Sequence, residues 1–438
     1  MSPPASPNTK PGTRGPGTFA AFGARNYRVF AAGFLGSSAG LQMLGLAVGY
    51  EVWERTRDPL HLGYVGVARA LPVVLLALVA GQLADVFDRR KMLIFTQTGF
   101  AIGAGLLAWA SWAGAPLWTL YALLVLLGLC RAFNGPSRAS LLPLLVPDPV
   151  FRNAVAWNAN MFQISAIGGP ILAGAVIAWT GAAWPVYVIT AAGTLGLACA
   201  GLALRPREQV RAKGGITLAG FFAGATHIWR EKTIFGAIAL DLFAVLLGGA
   251  TALLPIYAEE ILHVGPVGLG ALRAAPFVGA LLMGLALAHR SDFTRAGSAL
   301  LWSVAWFGLF TIVFGFSQVF WLSLVALLGA GAADQISVVI RHVLVQLRTP
   351  DELRGRVSAV NSVFIECSNE LGAFESGLVA KLFSPIVSVV SGGIGTILVV
   401  AGVAAGVPEL RKLGALEEPA KPQPRPAPEP EPEPEATP

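Results

Sequence analysis

From about residue 28 the chain alternates long apolar runs with short polar breaks. A helix needs about 20 residues to cross the hydrocarbon layer of a bilayer. Runs of that length fall at roughly 28–53, 62–84, 92–113, 118–141, 154–179 and 185–204. After a polar stretch they resume at roughly 233–256, 268–289, 298–317, 320–345, 357–382 and 386–407. The pattern predicts an all-α membrane protein with 12 transmembrane helices in two pseudo-symmetric six-helix halves. Composition agrees: 55% of the residues are hydrophobic and only 13% charged, against about a quarter charged in soluble domains. The expected division is a disordered cytoplasmic N-terminus over 1–26, a first half over 27–204, a linker over 205–232, a second half over 233–408 and a disordered Pro/Glu-rich tail over 409–438. The N-terminal arm has no short apolar core with a cleavage site, so the first span is expected to insert itself.

The formal charge is +6. The basic residues lie in alternate breaks rather than in one patch, which argues for membrane orientation and against nucleic-acid binding. Arg25 and Arg28 precede the first run, Arg89, Arg90 and Lys91 follow the second, and Arg205, Arg207, Arg211 and Lys213 fill the linker. Breaks on the other side lack Lys and Arg, apart from Arg55 and Arg57. The positive-inside rule then places both termini in the cytoplasm. The linker segment ITLAGFFAGATHIWR has helical apolar spacing with a basic end, which fits an interfacial helix or one packed on the bundle. Cys130, Cys199 and Cys367 sit far apart within apolar runs. They read as small buried hydrophobes, and no metal-ligand spacing links them to the histidines.

The halves are copies. GVARALP at 66–72 matches GALRAAP at 270–276, an offset of 204. Arg138, Pro147, Asp148, Ala156 and Asn158 match Arg341, Pro350, Asp351, Ala359 and Asn361 at an offset of 203. Six spans per copy give both the same topology, an arrangement that leaves a central cavity between the halves.

Three motifs stand out. The break GQLADVFDRRKML at 81–93 carries five charges in thirteen residues, so it must surface between two spans. The fourth run holds Arg131, Asn134, Gly135 and Ala139. Counted from the outer end at about 1.5 Å per residue, Arg131 lies near the midplane, where an ionisable group marks function. The fifth run holds Gly168, Gly169, Pro170, Ala173 and Gly174, small residues that let helices approach closely around a proline bend.

With the duplication, these motifs resemble the major facilitator superfamily over residues 25–410. The charged break resembles its cytoplasmic motif at Gly81, Leu83, Ala84, Asp85, Arg89 and Arg90, with Asp88 where a glycine is usual. The resemblance implies a gate in which Asp85 pairs with basic residues and a neighbouring helix end; anchoring of topology is the alternative. The counterpart after span 8 keeps Asp292 and Arg295 but has His289 in place of Asp85. The resemblance ties Arg131 to proton coupling. Gly169, Pro170 and Gly174 resemble a motif of drug/proton antiporters, with ordinary tight packing as the alternative.

The second half supplies acids. Asp334 aligns with Arg131, Glu366 and Glu370 share nearly one helix face, Glu375 lies further round, and Asp241 is on the seventh span. A carboxyl in a low-dielectric cavity can take up a proton near neutral pH, so Asp334, Glu370, Glu366 and Asp241 are proton-site candidates. Any of them can instead be a static partner of Arg131, Arg69 or Arg273. Arg69, Arg273, Asn134, Trp157, Asn158, Asn361 and Glu375 are cavity candidates. Trp53, Trp109, Trp112, Trp118, Trp179, Trp184, Trp302 and Trp321 read as an interfacial belt.

The stretches NGPSRASLLP at 134–143 and 334–377 resemble the enterobactin-exporter and macrolide-efflux branch. That implies proton-driven export of a bulky organic solute, with no cofactor, a small-molecule substrate, a monomer in the bacterial cytoplasmic membrane, and no enzymatic activity. Proton-coupled import on the same fold is the alternative. A membrane-embedded enzyme fares worse, since no His-x4-Asp pairing and no Gly-Lys phosphate loop is present. A relic without transport is disfavoured by the intramembrane charges.

Overall fold

The computed structural model describes residues 17–207, 218–289 and 293–415; the side chains of 77–79, 81, 82, 84–86, 218–222, 351 and 352 also fall outside the description. The first half contains α1 (Arg25–Thr56), α2 (Pro59–Val86), α3 (Arg89–Trp112), α4 (Leu117–Leu141), α5 (Phe151–Thr180) and α6 (Trp184–Ala203). After α7 (Leu218–Arg230) the second half contains α8 (Lys232–Leu247), a short α9 (Leu254–Ile256), α10 (Gly265–Ala288), α11 (Ala296–Phe316), α12 (Phe320–Arg348), α13 (Asp351–Leu382) and α14 (Pro385–Gly406), followed by the turn α15 (Pro408–Arg411). Among the described residues, eleven segments are long and apolar enough to span a membrane. The twelfth is α13, which is long enough but carries Glu366, Glu370 and Glu375 along its length. Part of its polarity comes from Glu366 and Glu370, which meet Arg131 of the other half.

Sequence boundaries and helices agree within a few residues, with one difference in kind. The run at 233–256 is not one helix. α8 stops at Leu247, Gly248 and Gly249 break the ladder, and the segment goes on through a 3-10 turn and a π turn at Tyr257–Ile261. Gly249 abuts the carbonyl of Gly372 on α13, so the break brings two backbones together.

Within the first half α1 packs on α5 and α6, and α4 on α2 and α3; within the second, α12 packs on α10 and α11, and α14 on α8 and α11. Two seams join the halves, α2 with α13 and α5 with α10. Both are tight at the end away from the termini. A Cβ on Gly174 would lie 2.3 Å from the Pro266 carbonyl oxygen, and one on Gly377 2.8 Å from that of Pro59. Small residues are what allow such approach where no water-driven force presses helices together.

α7 packs against α13, with Gly224 on the backbone of Arg356 and Ile228 buried among Ile234, Val345, Val357 and Val360. Of the two sequence readings for the linker helix, it takes the packed one. Residues at both ends of the bundle are also engaged. Ala20–Gly23 forms a 3-10 turn held by Asn153, and Gly414 and Leu413 accept hydrogen bonds from the start of α11. The rest of the N-terminal arm and of the Pro/Glu tail lies outside the described residues.

The tryptophans follow the belt reading with one exception. Trp112, Trp118, Trp179 and Trp321 are exposed at helix ends, whereas Trp53 is buried beneath the Arg57 guanidinium. Cys199 is likewise exposed rather than buried, at a position where lipid would cover it. Gly174→Val should destabilise the closed seam by about 1–3 kcal/mol through overpacking. Thermal unfolding in detergent checks this: the midpoint should fall for Gly174→Val and hold for Gly168→Ala, whose new methyl meets nothing within 4 Å.

Candidate substrate cavity and charge cluster

The seams are closed on one side only. At the end away from the termini, Arg57 pairs with Glu259 across the halves and with Glu54 at 2.9 Å, while Lys381 on α13 reaches Asp58 at 2.6 Å. Arg55 pairs with Glu51 and donates to the Ala115 carbonyl. These partners explain why Arg55 and Arg57 can break the loop-charge pattern, since each is neutralised by a neighbouring acid. Asp58 also caps α2, accepting from the Leu60 amide at 3.0 Å. Burial works to raise the Asp58 carboxyl. Hydrogen bonds from Lys381 and the Leu60 amide, with the Lys381 charge, outweigh it and hold it below the usual carboxylate range.

Toward the termini the halves part around a cavity of about 780 Å³, within the range of small-molecule sites. Its walls come from α1, α2, α3, α4, α5, α6 and α13, and include Phe34, Ser38, Arg69, Asn134, Arg138 and Glu366. It reaches Ala139 and Ser140 near the end of α4, so it opens on the side that carries the termini.

At the deep end lies the charge cluster. Arg131 on α4 bonds Glu366 at 2.7 Å and Glu370 at 3.4 Å, both on α13 of the other half. The two carboxylates are four residues apart, one helical turn, and so present to one guanidinium. Arg69 sits in the field of Glu370 and Glu366, and Arg273 near Arg69 and Glu370. The sequence therefore selected a real constellation: Arg131, Glu366, Glu370, Arg69 and Arg273 meet from four helices of two halves. A polar chain lines the wall beside it. Ser37 donates to Gln97 at 2.8 Å, and Gln97 donates to Asn134 at 2.9 Å.

Other candidates fall elsewhere. Asp241 on α8 is not in this cluster; it forms a buried ion pair with Arg341 on α12, inside the second half. Burying one partner alone would be costly, so the two are retained together. Asp334 has no hydrogen bond or ion pair among the described residues and does not line the cavity. Glu375 meets only the Ser376 hydroxyl, which donates to it at 3.5 Å. Asn158 and Asn361, one per half, each hold a buried carbonyl oxygen without a partner. Trp157 does not face the cavity. Its indole donates to the Thr18 carbonyl at 2.8 Å and stacks on Phe19, so it anchors the N-terminal segment.

The charged break is explained in part. Asp88 accepts from the amides of Arg90 at 2.9 Å and Lys91 at 3.1 Å, which makes it the N-cap of α3. That is a physical reason for Asp where the motif has glycine. Arg89 donates to the Ser140 carbonyl at the end of α4, and Arg90 to those of Gly201 and Leu202 at the end of α6. Both settle basic side chains on helix C-termini, within one half. The side chains of Gly81 and Asp85 lie outside the described residues. In the α5 motif, Gly169 abuts Gln42 and Ala39 of α1, the Pro170 carbonyl meets Gly270, and Gly174 meets Pro266.

Two six-helix halves around a one-sided cavity, joined by charges at its deep end, define a transporter of the major facilitator type. Known proteins carry the assignment further. A family model described as "transmembrane secretion effector" matches residues 16–433, and the chain belongs to that family. Among curated relatives, the enterobactin exporter of Citrobacter koseri is 26% identical over 377 residues, covering 85% of this chain and 89% of that one. The enterobactin exporter of Escherichia coli O1:K1 is 24% identical over 388 residues, covering 88% and 92%. The resemblance to that branch, read from motifs, is borne out. The fold is shared with a bacterial homologue of the lysosomal transporter Spinster in an inward-facing, unoccupied conformation, at TM-score 0.67 and 15% identity over 88% of this chain and 96% of that one. The nucleoside transporter NupG gives TM-score 0.68 and 14% identity over 87% and 99%. The fold and the relatives are those of transporters, not enzymes, and the chain is a multi-pass membrane protein.

Asp58→Asn keeps a good helix cap but removes the ion pair with Lys381. It should raise the labelling of a cysteine placed at Phe374 by an impermeant maleimide added on the side away from the termini. Because the Asp58 carboxyl is depressed, the pair is intact at neutral pH and is lost only as pH falls below the usual carboxylate range.

Proposed function

We propose that this chain is a proton-driven exporter of a bulky organic solute, of siderophore or drug type, in the bacterial cytoplasmic membrane with both termini in the cytoplasm. The observation that carries the reading is the Arg131–Glu366–Glu370 cluster at the deep end of a cavity open toward the termini. Loop charge favours the cytoplasm for that side, and the curated relatives matched at 24–26% identity are enterobactin exporters. Each chain holds both halves and the cavity between them, so it acts as a monomer.

Mechanistically, the ion pairs join α4 to α13 and favour closure of the outer side. With Arg131 held by two carboxylates, the cavity receives solute from the cytoplasm. Solute binding competes for Arg131 and loosens the junction, and the halves rock outward about the cluster. Protons arriving from outside neutralise Glu366 or Glu370 as solute leaves. Return to the inward state releases the proton and re-forms the pairs. Asp334, without a partner, is a second site for the proton. Asp85 modulates the cytoplasmic closure.

Proton-coupled import on the same fold is the second reading; the glycine-proline motif of α5 and the exporter relatives favour export. Energised everted vesicles test the difference. Wild-type vesicles should accumulate a siderophore or macrolide and lose pH gradient as they do so, whereas Arg131→Ala and Asp334→Asn should lower both rates by about tenfold or more. Normal transport in both variants, or no accumulation of any such compound, would contradict the proposal.

A further inference from the structure

The cavity wall carries one guanidinium that the mechanism above does not use. Arg138 lies on α4, two turns beyond Arg131 toward the terminal side, and lines the cavity with Phe34, Ser37 and Ser38 of α1. Among the described residues its side chain has no hydrogen bond and no ion pair. Its one specific contact is the ring of Phe34, whose centroid is 4.7 Å from the guanidinium carbon. A stacked guanidinium uses its face and leaves its N–H edges free for another group. The other charged side chains on this wall are Arg69, Arg131 and Glu366, and Glu366 is already bonded to Arg131. The wall thus carries more cation than anion, and Arg138 is the member left without a carboxylate.

The internal duplication supplies a control. Arg138 aligns with Arg341 at an offset of 203, and in the first spans, where the offset is 204, Ser37 aligns with Asp241. In the second half, Asp241 pairs with Arg341 and both are buried. In the first half, the arginine is retained, the acid is a serine, and the pair opens on the cavity. An arginine held in an apolar setting without a counter-charge is costly. Here the missing carboxylate is the one that the other half builds in.

We propose that the solute supplies it: the exported molecule bears a carboxylate or another acidic oxygen group, which docks on the N–H edge of Arg138 in the place that Asp241 fills in the other half. This deepens the exporter reading and rests on it for the word exported. Arginine's planar fork matches a carboxylate with two parallel hydrogen bonds. Ser38 and the Ser37–Gln97–Asn134 chain give polar contacts beside it. The rest of the cavity, with Phe34, Leu41, Phe100 and Phe162, offers apolar surface to an organic body. The site therefore selects amphipathic organic acids over neutral and cationic analogues.

Binding in lipid nanodiscs tests this without transport. The probes are 1-pyrenebutyrate and its uncharged amide, measured against nanodiscs without protein. Full-length protein should bind the acid at least about tenfold more tightly than the amide, roughly 1.4 kcal/mol. Arg138→Gln should bring the ratio near one, and Arg138→Lys should keep part of it. Ser37→Asp should also abolish the preference by supplying the internal carboxylate while leaving Arg138 in place, so the test survives if Arg138→Gln folds poorly. Equal binding of acid and amide by the wild type, or a preference that persists in both Arg138→Gln and Ser37→Asp, would overturn the proposal. Either result with vesicles that still export would leave the exporter reading standing, whereas a preserved acid preference in vesicles that never export would overturn that reading alone.

Discussion

The structure depends on one contact across its two halves: the guanidinium of Arg131 on α4 held by Glu366 and Glu370 on α13. Intramembrane charge is costly when alone and tolerable when paired. A pair whose members sit on separate rigid halves therefore makes the arrangement of those halves a matter of electrostatics. The closed seam away from the termini, with Asp58–Lys381 and Arg57–Glu259 and the close backbones at Gly174 and Gly377, follows from the same packing. The cavity on the other side exists because the halves tilt together at one end only.

The duplication then makes the differences between halves informative. The second half neutralises its own arginine, Arg341, with Asp241 and breaks its first span at Gly248. The first half leaves Arg138 on the cavity wall and keeps α1 continuous to Thr56. A wholly symmetric copy would either bury both arginines in pairs or leave both without an acid. The observed asymmetry places a cationic group on one wall only, next to the cluster that joins the halves.

Much of this was legible in the sequence because the bilayer imposes length and apolarity on each span. Eleven spans are strongly apolar, and the twelfth, read at 357–382 as an apolar run, is the more polar helix α13. The cluster was legible because Arg131, Glu366 and Glu370 are ionisable groups at depths where such groups have few other uses. What the sequence left open was which acid meets which base. Asp241 could have met any of several arginines, and only the fold shows that it meets Arg341, 100 residues further along the chain. Trp157 looked like a cavity aromatic because its neighbours Asn158 and Asn160 are polar, yet helix rotation turns it to Thr18 and Phe19. The break in the seventh span was hidden for a related reason: glycines are common in spans, and only contact with Gly372 shows which pair interrupts the helix. Two further signals were present. Asp88 just before a basic helix start is an N-cap pattern, and the repeat that pairs Arg138 with Arg341 also pairs Ser37 with Asp241.

The central claim is that the Arg131 cluster holds the side away from the termini closed. Spin labels at Trp112 and Phe316, exposed at the ends of α3 and α11 away from the termini and in opposite halves, report that closure without touching the cluster. Double electron–electron resonance on the reconstituted protein should give one narrow distance distribution for the wild type at neutral pH. A longer population should appear with Glu366→Gln and Glu370→Gln together. An unchanged distance distribution in the double variant would contradict the account.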